Sequence, residues 1–142
     1  MTRALPLLLA GLALTACADN RSYVAPGQGP ADARALANGV ADFVSQRLRT
    51  PHATVMLAPA QTDNDVTEEI IAALKRRGFG VTTAGTDAAA GQPLRYLVTP
   101  LDDGDLLRMR LEGVASGARF FARGPGGLQP SGPFTVTAEA AR

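Results

Sequence analysis

The chain has one cysteine, Cys17, and one histidine, His52, so few kinds of side-chain chemistry are open to it. A protein zinc site draws three or four ligands mostly from those two residue types, and one of each cannot supply them. Ser–His–Asp hydrolysis would have to use His52, which follows Pro51 at the head of an apolar run, and no G-x-S-x-G elbow presents a serine. His52 reads instead as a structural or solvent-facing residue. Asp102-Asp103-Gly104-Asp105 concentrates carboxylates, yet an EF-hand loop needs them at alternate places with a distant bidentate glutamate, so this is a turn. Gly124-Pro125-Gly126-Gly127 lacks the lysine and hydroxyl residue that close a phosphate loop, and it too reads as a turn. Asp63, Asp65, Glu68 and Glu69 are near enough for acid–base pairing, but they head a helical stretch, where acids suit the dipole. The expectation is a non-catalytic protein with no metal.

Cys17 remains. A lone cysteine cannot close an internal disulfide. It follows a short positive start, Met1-Thr2-Arg3, and an apolar run from Ala4 to Leu14. That run of about eleven residues fits a secretory signal and falls short of the roughly 20 needed to span a bilayer. Leu14-Thr15-Ala16-Cys17 resembles the lipobox of bacterial lipoproteins. The resemblance implies that residues 1–16 are a cleaved signal peptide, that the Cys17 thiol carries a diacylglyceryl group, and that the new amino end is acylated. Several acyl chains hold a protein on a bilayer stably where one is marginal. Ala18, rather than an aspartate, directly follows the cysteine, which in such lipoproteins implies outer-membrane sorting with the body facing the periplasm.

The rest of the chain must fold behind that anchor. The whole chain carries 14 basic and 13 acidic side chains, and loss of Arg3 with the signal would balance them, so bulk charge gives no support for nucleic-acid binding. Residues 17–30, rich in turn formers and without periodicity, read as a tether. Residues 31–142 read as one small domain. Pro30 suits the first turn of a helix, and Leu36, Val40, Phe43, Val44 and Leu48 form its apolar stripe up to Thr50-Pro51. His52 to Pro59 fits a buried strand. Asp65 and Glu68 stand at capping-box spacing before a second helix with Val66, Ile70, Ile71 and Leu74 on its buried face. Lys75, Arg76 and Arg77 complement that helix's dipole ahead of Gly78, a reading preferred over a phosphate or partner patch.

Phe79 to Thr83 predicts another strand, and the chain then turns to β patterning. Leu94 to Leu101 is strand-like, and Leu106 to Val114 alternates. Leu107, Met109 and Leu111 point one way, and Arg108, Arg110 and Glu112 the other. A turn at Ser116-Gly117, a strand from Ala118 to Arg123 with Phe120 and Phe121 on opposite faces, a turn-rich 124–133 and a short strand at Phe134 to Thr137 complete the pattern. The predicted fold is α+β: two helices packed on a small mixed β-sheet ending in an antiparallel meander.

The order of these features resembles the conjugal transfer lipoprotein TrbH family. The likeness is carried by Leu74-Lys75-Arg76-Arg77-Gly78-Phe79, Arg95-Tyr96-Leu97-Val98, Leu107-Arg108-Met109-Arg110-Leu111, Phe120-Phe121 and Gly127-Leu128-Gln129-Pro130-Ser131-Gly132. It implies a non-catalytic component of a conjugative type IV secretion apparatus, pegged to the membrane through Cys17 while its sheet edge or apolar surface binds other core subunits. No cofactor is implied beyond the covalent lipid, and no direct contact with nucleic acid. The row of Arg108, Arg110 and Glu112 is either a solvated face or a partner-docking surface. The alternative to conjugation is a periplasmic lipoprotein that binds or activates a cell-wall synthesis enzyme. The shortness of the tether speaks against it.

Overall fold

The computed structural model describes residues 21–49, 53–60, 64–85 and 90–140. Cys17, His52 and Asp63, and the signal stretch, lie outside them. Helix α1 (Pro30–Arg47) opens with Pro30 in its first turn, and the Gly29 carbonyl accepts the Ala33 N–H at 2.9 Å. Its stripe of Leu36, Val40, Phe43 and Val44 is fully buried. Helix α2 (Asp65–Arg76) is capped one residue earlier than the sequence pattern suggests. The side-chain oxygen of Asn64, whose backbone is extended, accepts the Thr67 N–H at 2.9 Å, and Asp65 already lies inside the helix. The helix ends through Gly78 at φ +89°, a conformation that disfavours any side chain.

The strands are β1 (Tyr23–Val24), β2 (Thr54–Leu57), β3 (Gly80–Thr83), β4 (Gln92–Leu101), β5 (Gly104–Leu111), β6 (Ala115–Gly124) and β7 (Gly127–Ala138). They form one seven-stranded mixed sheet ordered β3-β2-β4-β5-β6-β7, with β1 also paired to β4. The β1–β4, β2–β3 and β2–β4 pairs are parallel, and β4 to β7 form an antiparallel meander. The α+β architecture read from the sequence is the one observed. Both helices cover a single face of the sheet, α1 over β5 to β7 and α2 beside it against β3. Between them and the sheet lies the core, built from Leu, Val, Ile and Ala with Phe43, Tyr96 and Phe121 as its largest members. A Cβ added at Gly39 would stand 2.7 Å from the Phe121 ring, so a glycine here lets α1 approach β6 closely.

Three local expectations are corrected. The stretch read as a tether contributes β1, and Ser22, Val24 and Ala25 are buried, so the folded domain starts before Pro30. A two-residue strand has no periodicity to read, and non-local pairing to Leu97 and Val98 creates it. Ser116 and Gly117 are inside β6, not in a turn; the turn lies at Glu112–Val114, where Gly113 takes φ +74°. Gly117 is needed in the strand because the Phe43 ring occupies the place where its Cβ would be. Finally, the Gly- and Pro-rich 124–133 stretch turns only at Pro125-Gly126 and then runs on as the long strand β7. Prolines are tolerated there because β7 is an edge strand. Its register slips between Ala118↔Thr135 and Phe120↔Ser131, a bulge with Gly132 at φ +74°. The bulge lets Phe134 meet Phe43 edge-on at 5.8 Å while the Arg119 guanidinium lies over the Phe134 ring at 4.8 Å.

Candidate functional site

Strand alternation sorts the sheet into a covered and an uncovered face. Leu107, Met109 and Leu111 are buried under the helices, as the alternation predicts, and Arg108 and Arg110 between them are exposed on the other side. Cross-strand register extends those positions into rows. Tyr23, Leu97, Arg108, Ala118 and Thr135 stand side by side across β1, β4, β5, β6 and β7. Arg95, Arg110, Ser116 and Thr137 form the next row, and Thr99, Leu106 and Phe120 the row beyond. No aspartate or glutamate stands in any of them. A shallow depression of about 350 Å³ opens between Leu97, Arg108, Arg110, Ala118 and Thr135. Among the described residues, no element of the chain covers this face.

Arginines dominate its charge. Arg95 and Arg110 are direct cross-strand partners, an arrangement that costs stability unless counter-charges are near. Glu139, just past β7, supplies one: its carboxylate lies 2.6 Å from Arg110 Nε. The Gly113 N–H donates to Glu139 at 2.8 Å and the Ser116 hydroxyl at 3.2 Å. The Gly113 bond is the strongest influence holding the Glu139 carboxyl below its ordinary value, with Arg110 and Ser116 adding to it. Arg108 has no ion pair among the described residues. Glu112 is not on the strand with the two arginines but in the β5–β6 turn, where its N–H donates to the Pro93 carbonyl at 3.0 Å and its own carbonyl accepts from Gln92.

A second polar cluster escaped sequence reading. Asp105, only 2% exposed, and Asp32, 7% exposed, both face Arg123. The Arg123 guanidinium donates to Asp32 at 2.9 Å and to Asp105 at 3.0 Å, and the Leu128 N–H donates to the other Asp32 oxygen at 2.9 Å. Burial opposes the Asp32 charge, yet the Arg123 and Leu128 hydrogen bonds, the Arg123 charge and the Gly29 backbone together outweigh it and hold the carboxyl below its ordinary value. Asp32, in turn, is the first influence that raises Arg123. The cluster ties the first turn of α1 to the β6–β7 hairpin. One signal pointed to it: Asp105 is in register with Leu107, Met109 and Leu111, so alternation placed a carboxylate on the covered face.

The remaining sequence candidates are dispersed. Asp65, Glu68 and Glu69 occupy the first turns of α2. Arg77 pairs with Asp42 of α1 and donates to the Ser45 hydroxyl at 3.4 Å, which fastens the two helices together. Asp102 and Asp103 make the β4–β5 turn. Tyr96 is buried with its hydroxyl 2.6 Å from that of Thr67, and burial pushes its phenol above the ordinary value. Among the described residues no three His, Cys, Asp or Glu side chains stand together as a metal site, and no helix is long and apolar enough to cross a membrane.

What this arrangement offers is a flat surface, and comparison with known proteins supplies its setting. The family model described as conjugal transfer protein TrbH matches residues 18–140. The chain belongs to the TrbH family. No curated protein and no solved structure matches it. The match takes in both helices, all seven strands and the uncovered face, so this domain is the TrbH fold unit and a conjugal transfer component.

Proposed function

We propose that this TrbH protein is a non-catalytic peg of a conjugative type IV secretion apparatus, held on the periplasmic side of the outer membrane by acyl chains on Cys17. The family match over residues 18–140 carries the reading. The lipobox pattern Leu14-Thr15-Ala16-Cys17, directly ahead of the matched region, supports the anchor. The domain supplies rigid surfaces for assembly. Its edge strands β3 and β7 each have one side that no other strand among the described residues occupies, open to strand addition by other core subunits. Acyl chains place those edges at the envelope, and the apparatus is assembled around them. Nucleic acid need not touch the domain.

A mating assay tests this. The gene is deleted, then complemented with wild type or with Cys17→Ser. Loss of DNA transfer, restored by wild type and not by Cys17→Ser, is the expected result. Undiminished transfer in the deletion strain, with altered cell-wall integrity, would move the protein to the cell-wall synthesis role.

A further inference from the structure

We propose that the uncovered sheet face lies against the phospholipid surface in which Cys17 is anchored. The inference rests on the anchored reading above and names the partner of the arginine face.

Chain length is the first argument. Tyr23 is 45% exposed and stands beside Leu97 in the middle row of this face, while its neighbour Val24 is buried under the helices. Only residues 18–22 separate Cys17 from Tyr23, a span that even fully extended reaches about 20 Å. The face is therefore held within one domain diameter of the acyl chains.

Composition is the second. Arg95, Arg108 and Arg110 are set among Leu97, Leu106 and Phe120; no carboxylate stands in the rows themselves, and Glu139 at their edge pairs with Arg110. Cations whose stems lie on apolar surface, with an aromatic ring and a tyrosine beside them, are what a headgroup–acyl boundary accepts. An anionic phospholipid phosphate complements Arg108, which has no ion pair among the described residues; Arg95 and the Glu139-paired Arg110 stand in the next row. The same face of β4 ends at the exposed Leu101, 52% accessible.

The test uses the full chain, purified from membranes in its acylated form. Acylation of Cys17 leaves a single introduced thiol as the only one reactive. Thr135→Cys places it on the uncovered face and Asn38→Cys on the exposed side of α1. Each is labelled with an environment-sensitive fluorophore and reconstituted in vesicles of phosphatidylethanolamine and phosphatidylglycerol containing a spin-labelled lipid. Quenching several-fold stronger at Thr135→Cys than at Asn38→Cys, reduced by high salt and by Arg95→Gln with Arg108→Gln, is the expected result. Equal quenching at both positions in acylated, vesicle-bound protein overturns the inference and leaves the anchor standing. Shielding of Thr135→Cys that persists in detergent and rises with protein concentration assigns the face to a second copy. Shielding that needs another apparatus subunit assigns it to that protein. Either result also overturns the inference. An unacylated Cys17 by mass spectrometry, with no flotation on vesicles, overturns the anchored reading itself and the inference with it.

Discussion

Asp32 in the first turn of α1 accepts a hydrogen bond from Arg123 near the end of β6 at 2.9 Å, across 91 residues of sequence. That bond, with the Leu128 N–H on the second carboxylate oxygen, is what fixes the helix start to the hairpin. Asp32→Ala removes both acceptors and leaves the buried Leu128 N–H without a partner. We expect a loss of about 1–3 kcal/mol in unfolding free energy, the cost of orphaning buried hydrogen-bonding groups. Urea denaturation reads it as a lower midpoint with an unchanged slope. A midpoint within error of wild type would mean that the cluster is not a structural clamp.

The same carboxylate sets an acid dependence. Its folded pKa is depressed below the ordinary 3.8, so the folded state binds the Asp32 proton less readily than the unfolded chain. The sign follows by linkage: the stabilisation is full above that ordinary value and is lost as pH falls through the lower folded value. Wild type and Asp32→Asn are therefore expected to differ most in urea midpoint at neutral pH and to converge as pH falls through the depressed folded value. A gap that does not narrow at any acidic pH at which the protein still folds would remove Asp32 ionisation as its source.

Close approach of Phe43 to β6 predicts a steric coupling. Gly117→Ala puts a methyl group into the space of the Phe43 ring and is expected to cost about 1–3 kcal/mol through overpacking. Phe43→Leu alone is also destabilising, since it empties core volume and removes the ring contact with Phe134. The two together should cost less than their sum, because the smaller side chain makes room for the methyl. A double-mutant cycle by urea denaturation measures this, and strict additivity would show that strain at Gly117 is relieved elsewhere.

Substitution on the uncovered face has a different signature. Arg108 is exposed and its guanidinium makes no ion pair among the described residues, so Arg108→Ser is expected to change stability by no more than about 0.5 kcal/mol. If the face meets a partner, transfer efficiency in mating falls while the thermal midpoint of the purified protein holds. A large drop in thermal midpoint would mean that Arg108 supports the sheet itself.

Much of this fold was legible because local pattern and tertiary role agree. Leu107, Met109 and Leu111 alternate with Arg108 and Arg110, and one buried face is all that such alternation can serve. Pro30 and Gly78 mark a helix start and a helix end through backbone preferences that no tertiary contact overrides. Where the reading slipped, the deciding partner was distant. Gly117 looks like a turn residue until Phe43, on another element, explains why a strand needs a glycine there. The β7 edge looks like a loop because Pro130, Gly132 and Pro133 break local rules that an edge strand with a bulge can set aside. The arginine face was visible as a row on β5, but its extension to Tyr23 and Arg95 depends on register, and register with β1 is set by pairing that two residues cannot announce.

Docking of β1 can itself be measured. The Ser22 hydroxyl accepts the Tyr96 N–H at 3.1 Å, the Ala25 N–H donates to the Val98 carbonyl at 3.0 Å, and Val24 between them is 3% exposed. If residues 22–25 belong to the sheet, truncating Val24 to Ala removes buried methyl groups and is expected to cost about 1–3 kcal/mol. A free tether would feel no such change. The opposite control is Tyr23→Ala, one residue away on the uncovered face, which should shift the urea midpoint far less. Equal, negligible effects at both positions would return this segment to the tether, lengthen the leash on Cys17, and remove the chain-length argument that brings the arginine face to the bilayer.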